Sequence, residues 1–173
     1  MEDCDVLGAG RGWANKIIHN ENAYNALSLF FNSKDKFTLG VCNGCQMLSN
    51  LKEIIPGSSH WPSFTHNNSN QFEARQVLVK IPKSNSILFK GMHESIIPII
   101  VSHGEGKVTV SKSNDLKKIT MAYVDDSGKK TTSYPNNPNG SVSGATGFCN
   151  NDGRINIMMP HPERLMHINN FSW

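Results

Sequence analysis

No apolar run in this 173-residue sequence approaches the roughly 20 residues that cross a bilayer, so a spanning helix is not expected. A secretory leader is lacking as well. The opening stretch Met1 to Gly10 is acidic and has neither a basic start nor an apolar middle, which points to the cytoplasm. Cysteine is scarce: Cys4, Cys42, Cys45 and Cys149 are the only four. That is too thin for a disulfide scaffold, and reduced thiols are expected. Charge of one sign is missing too. Lys and Arg number 17 against 14 Asp and Glu, a formal net charge of +3, and the basic residues are scattered. Without a basic stripe interleaved with aromatics, a nucleic-acid surface has no support. Slight basicity suits small anionic substrates without selecting any of them.

What remains is an ordinary globular composition, 38% hydrophobic and 18% charged, long enough for one domain with a real core. No internal repeat or linker divides it. Gly8, Gly10 and Gly12 make a loop before a helical stretch in which apolar residues recur from Trp13 to Phe31 at roughly helical spacing. Phe37 to Cys42 reads as a short buried strand, and Met47, Leu48, Leu51, Ile54 and Ile55 as the next helical stripe, stopped by Pro56-Gly57. After a loop rich in Ser, Asn and His the pattern turns to β. Gln71 to Ile81 alternates, Ile96 to Val101 is an edge candidate because of Pro98, and Val108 to Val110 is short. Ile119 to Val124 and Lys129 to Ser133 flank the turn Asp126-Ser127-Gly128 as a hairpin, and Ile155 to Met159 is a last strand. Helix and strand alternating early, then mostly strands, implies a mixed α/β domain. Ligands of such sheets gather at strand C-termini, and both Cys42 and His161 fall just past a strand.

The segment Gly40-Val41-Cys42-Asn43-Gly44 is the thiol counterpart of the G-x-S-x-G nucleophile elbow. Its glycines spare the sharp reversal any side-chain bulk. The turn leaves Cys42 at the start of a helix, where the dipole favours a thiolate. The backbone N–H of Asn43, next in the chain, can help stabilise an oxyanion. A cysteine nucleophile needs a base, and His161-Pro162-Glu163 supplies an imidazole and a carboxylate to orient it. Other readings stand beside this one. Cys42 and Cys45 also make a C-x-x-C, a redox or zinc pattern, though no second such pair exists. His161 taken singly could be a surface histidine, and Glu163-Arg164 a solvated loop. His103, between Ser102 and Gly104, suggests either backbone exposed to a ligand or a tight turn between strands. His19, His60, His66, His93 and His167 form no usable pattern, and Trp13 and Trp61 suit packing.

The motif Gly40-Val41-Cys42-Asn43-Gly44-Cys45-Gln46 resembles the nucleophile segment of class I (triad) glutamine amidotransferases. Its ending resembles the form in the glutamine amidotransferase domain of the large phosphoribosylformylglycinamidine synthases. Further segments resemble the same family, in order along the chain: Asp5 to Gly10, Asn70 to Arg75, His103-Gly104-Glu105-Gly106, Tyr134 to Ser141, and Met158 to Arg164. The resemblance implies an α/β fold of the class I amidotransferase (flavodoxin-like) type over residues 1–173, a sheet with flanking helices. It implies hydrolysis of glutamine by Cys42, with His161 as base and then acid and Glu163 orienting His161. Gln46 would help hold the substrate, and His103, Gly104 and Glu105 would approach its α-amino and carboxylate groups. No metal and no cofactor belong to such a domain. In the whole enzyme, ATP and Mg serve a synthase domain that takes the ammonia and converts formylglycinamide ribonucleotide to its amidine, in purine synthesis.

The sequence also departs from the family. Where the family has a strand and a Gly-Gly-Phe-Ser-Tyr-Gly-Asp loop before Asp5, only Met1 to Asp5 stand here. The C-terminus at Asn170-Phe171-Ser172-Trp173 stops before the family's last segment. The expectation is a sheet lacking its first strand or strands and one oxyanion donor, and hence a weak or inactive glutaminase. The alternative expectation is a non-catalytic module that needs a partner.

Overall fold

The computed structural model describes residues 8–110, 116 and 118–167. Cys4, the motif residues Asp5 to Leu7 and the terminus Asn170 to Trp173 lie outside the described residues. The chain opens with α1 (Ala9–Ile18) and α2 (Glu21–Asn32), then β1 (Thr38–Val41) and α3 (Asn43–Asn50). The apolar spacing from Trp13 to Phe31 reads as one stripe, but the chain breaks it in two. Asn20 leaves the helix at φ −119°, and its side-chain oxygen accepts the Ala23 N–H at 3.0 Å. An asparagine that caps a new first turn outweighs the apolar periodicity running through it.

Seven strands follow: β2 (Ser63–Thr65), β3 (Glu73–Lys80), β4 (Ile96–His103), β5 (Lys107–Thr109), β6 (Ile119–Val124), β7 (Ala145–Cys149) and β8 (Ile155–Met158). Six strands form one sheet in the order β1-β8-β7-β6-β3-β4, and β2 pairs with β5. Only β1 and β8 run parallel, with Val41 opposite Met158; the other neighbours are antiparallel. The mixed α/β expectation holds, with a curled sheet and few helices. The curl is visible beyond β8, where the His161 N–H donates to Ile100 O of β4 at 2.8 Å, although the two strands stand far apart in the sheet order. Pro98 sits on β4, at the sheet edge as its missing N–H requires. The expected hairpin after β6 shrinks to a single bridge, Val124 to Lys130. Asp125 takes over the turn, its carboxylate accepting the N–H groups of Ser127 and Lys129.

Apolar side chains pack on both faces of the sheet. One cluster gathers Ala14, Phe31, Cys45, Leu48 and Leu51 against Phe148, Ile155 and Ile157; the other joins Val77, Val79, Ile99, Val101, Met121, Tyr123 and Met158. Strands β7 and β8 are buried throughout, as strands covered on both faces are. Arg154, 6% exposed, ties the helical layer to β8. Its guanidinium donates to the carbonyls of Phe31, Ser33 and Lys36 around the end of α2 and to Asp152. A buried cation there meets the negative end of the helix dipole. Among the described residues, no helix is long and apolar enough to cross a membrane.

Candidate active site

Parallel pairing of β1 with β8 makes both strands end on the same side of the sheet, and it is there that Cys42 and His161 emerge. The Cys42 N–H donates to Met158 O at 2.9 Å, so the nucleophile candidate and the histidine, three residues past Met158, leave neighbouring strands together. Cys42 adopts φ 52° and ψ −111°, a left-handed conformation for a residue with a Cβ, directly before α3. Strain of that kind persists only where the surroundings enforce it. Here the enforcing element is Gly40: a Cβ at that position would stand 2.7 Å from Gly44 O and from the end of Leu48. The first glycine of the G-x-C-x-G pattern is therefore a packing requirement of the elbow, whereas a Cβ at Gly44 would meet open space.

The Cys42 thiol is nearly buried and lies 3.8 Å from Ser102 O. Asn43, the oxyanion candidate, is the first residue of α3. Its backbone N–H belongs to the helix's first turn, at the positive end of the dipole. Cys45, one turn further on, is fully buried. Burial first, and the neighbouring Cys42 second, push its thiol well above the usual cysteine range. No disulfide joins Cys42 to Cys45, and a thiol held protonated is a poor redox partner. The C-x-x-C is thus a by-product of the elbow helix.

His161 is buried, and its Nδ1 lies 2.6 Å from Glu163 Oε1, a carboxylate that is half exposed. With Nδ1–H given to the carboxylate, Nε2 is the basic nitrogen, and it is enclosed without a hydrogen-bond partner among the described residues. Pro162 opens a single 3₁₀ turn, Pro162–Arg164, which swings Glu163 back toward the ring it follows. Arg164 is no mere solvated residue: its guanidinium donates to Ser102 Oγ at 2.6 Å.

The loop after β4 is held from every side. Asn67 donates to His103 O at 2.7 Å and accepts the Gly106 N–H at 3.0 Å, clamping both ends. Gln46 Nε2 donates to Glu105 O at 2.6 Å. The Glu105 carboxylate accepts the Gly8 N–H at 2.7 Å and faces His66 at 3.6 Å. Gly104 contributes its carbonyl to the Asn67 N–H. His103 itself is buried rather than presented to solvent, its ring resting on Gly106, where a Cβ would fall 2.0 Å from Nε2. Desolvation, with His161 nearby, lowers its pKa to about 3, so it is neutral at physiological pH. Asn139 lies 3.4 Å from His103 Nε2 and donates to Gly106 O and to the Tyr123 hydroxyl. Gln46, Gly104 and Glu105 are thus gathered beside the elbow, whereas the His103 ring faces inward. Motif and period alone do not single out Asn67 and Asn139. Their signal lies in the clustering of asparagine in Asn67-Asn68 and Asn136 to Asn139, since buried loops need side-chain amides to satisfy their backbone.

On this α/β fold a strand ending in a strained cysteine elbow thus lies beside a strand followed by a His–Glu pair. The chain belongs to the CobB/CobQ-like glutamine amidotransferase domain family, whose model matches residues 1–173. Among solved structures it is similar to PurLQS from Thermotoga maritima, with a TM-score of 0.66 and 22% identity over 95% of this chain. It is also similar to a putative GMP synthase component from Thermoplasma acidophilum, with a TM-score of 0.50 and 13% identity over 89% of this chain. The chain spans 65% of the first of these proteins and 61% of the second. At these identities the likeness concerns the fold.

Proposed function

We propose that this domain hydrolyses glutamine to glutamate and ammonia, with Cys42 as nucleophile, His161 as proton carrier and Glu163 as its orienting carboxylate. The observation that carries this is the pairing of the Cys42 elbow with the His161–Glu163 contact of 2.6 Å at the exits of two parallel neighbouring strands. His161 Nε2 takes the thiol proton, and Sγ attacks the side-chain amide carbon. The oxyanion that forms lies at the head of α3, where the Asn43 N–H can donate to it. The C–N bond then breaks, ammonia leaves with the proton held by His161, and water hydrolyses the γ-glutamyl thioester. Gln46, Gly104 and Glu105 form the wall on which the α-amino and carboxylate groups are recognised, and His103 supports that wall from behind. The domain needs no cofactor for these steps.

The ammonia serves a synthase domain that uses ATP and Mg to convert formylglycinamide ribonucleotide to its amidine, in the cytoplasm. The resemblance of Asn43-Gly44-Cys45-Gln46, His103 to Gly106 and Tyr134 to Ser141 to the phosphoribosylformylglycinamidine synthases supports this, and the fold likeness to PurLQS accords with it. The test is ammonia release from glutamine by the purified chain. Release that disappears in Cys42→Ala is the expected result; release unchanged in that variant would sink the assignment.

A further inference from the structure

The turn that carries the Glu163 carboxylate is slight. Pro162–Arg164 is a single 3₁₀ turn, and its three residues are all exposed. Its two backbone bonds are long: the Arg164 N–H reaches His161 O at 3.4 Å and the Leu165 N–H reaches Pro162 O at 3.3 Å. Turns of this kind have poor hydrogen-bond geometry and little strength of their own, and burial does not hold these three residues. Yet the Glu163 side chain, 54% exposed, keeps Oε1 2.6 Å from His161 Nδ1. Contacts with β4 show what steadies it. His161 bridges Ile100 in antiparallel fashion, and pairing continued from there would set Met159 across from Ser102. The turn folds the chain back, and the Arg164 guanidinium donates to Ser102 Oγ at 2.6 Å. A charged donor makes this bond stronger than the two within the turn. Ser102 is itself nearly buried, and its carbonyl lies 3.8 Å from Cys42 Sγ. One residue of β4 thus meets the nucleophile with its backbone and the turn of the base with its side chain.

We propose that Arg164 is a positioning residue: by holding Ser102 it keeps the Pro162–Arg164 turn folded back, so that Glu163 faces His161 Nδ1 and Nε2 stays the basic nitrogen. The inference rests on the reading of His161 as the proton carrier. Which ring nitrogen of a histidine carries the hydrogen is set by the bond the other partner groups make with it. A carboxylate free to wander would leave the proton divided between Nδ1 and Nε2, and an Nε2 that carries a hydrogen has no lone pair to take the thiol proton. Arg164 acts through Ser102 and the turn, and its part is to place Glu163. Lysine is a partial substitute, because a single ammonium on a flexible stem lacks the planar fork of a guanidinium.

The experiment reads the tautomer directly, from long-range proton–nitrogen correlation spectra of the isotope-labelled imidazoles in the full chain, with His161→Asn to assign the ring. The unaltered chain should show His161 with its hydrogen on Nδ1. Arg164→Ala and Ser102→Ala should each move a large share of it to Nε2. Ser102→Ala keeps the guanidinium charge, so loss of the bond is separated from loss of the charge. Arg164→Lys should restore part of the Nδ1 form, and the double variant should shift no further than either single one, as for two partners of one bond. The melting temperature of Arg164→Ala should stay that of the unaltered chain, which a merely structural role would not allow. Glutamine turnover in the same variant should fall by about tenfold to a hundredfold in kcat with little change in KM. A His161 ring that keeps its hydrogen on Nδ1 in Arg164→Ala overturns the proposal; should Ser102→Ala not fold, Arg164→Ala decides alone. A tautomer that shifts as expected in a chain that releases no ammonia counts against the glutaminase reading and leaves the positioning by Arg164 in place.

Discussion

At the scale of single residues, the site rests on a few positions whose neighbours leave no latitude. Gly40→Ala would press a methyl group against Gly44 O and Leu48, and backbone is not able to yield as a side-chain tip can. Circular dichroism should show a folded protein of lowered melting temperature, and ammonia release should fall by about a hundredfold or more, as misplaced nucleophiles do. Thiol chemistry offers a second check. Cys45 is fully buried and held protonated, so a glutamine-like electrophile should label Cys42 in preference to Cys45, read by peptide mass mapping; equal labelling would contradict a formed site. His103 makes a third prediction. The unfolded chain takes up its proton near pH 6.5, the folded protein only near 3. The stability this contributes is complete above pH 6.5 and is lost as the pH falls toward 3. Between pH 7 and pH 5 the loss is on the order of 2 kcal/mol. Urea midpoints at the two pH values should show it, and His103→Asn should flatten the difference.

At the scale of elements, the sequence disclosed those with a simple period and hid those made by side-chain hydrogen bonds. The run from Phe37 to Cys42 and the alternation of Gln71 to Ile81 lie close to β1 and β3, but the first is not the buried strand expected, since Phe37 and Leu39 stand exposed. The break at Asn20 and the shrinking of the hairpin after β6 were hidden for one reason: in each, an Asn or Asp side chain captures backbone N–H groups and overrides the apolar pattern. The clamp on residues 103–106 was hidden because its members, Asn67 and Asn139, are far apart in sequence. Asn67→Ala frees both ends of that loop. It should raise KM for glutamine about tenfold while changing kcat less, since the role proposed for the loop is binding and not reaction. Arg154 ties α2 to β8 through four hydrogen-bonded partners. Arg154→Met should cost about 2–4 kcal/mol in denaturant unfolding, since it leaves three carbonyls without their donor.

At the scale of the molecule, fold class and family membership were both legible, the first from early helix–strand alternation followed by strands, the second from motif order. The nearness of Cys42 to His161 was not, because no local pattern announces that β1 and β8 run parallel side by side. Parallel pairing is a long-range choice made by packing. Among the described strands, the same topology puts β1 at one end of the sheet order and β4 at the other.

One strand carries more of the arrangement than its place in the sheet suggests. β4 offers Ile100 O to the His161 backbone, Ser102 O to the Cys42 thiol, Ser102 Oγ to Arg164, and His103 to the loop that follows. His161, Cys42 and the loop 103–106 are thus gauged from Ile100, Ser102 and His103 of one strand, like three marks on a single ruler. Sliding that ruler by one residue would misalign all three at once. The arrangement should accordingly fail as a whole rather than by degrees.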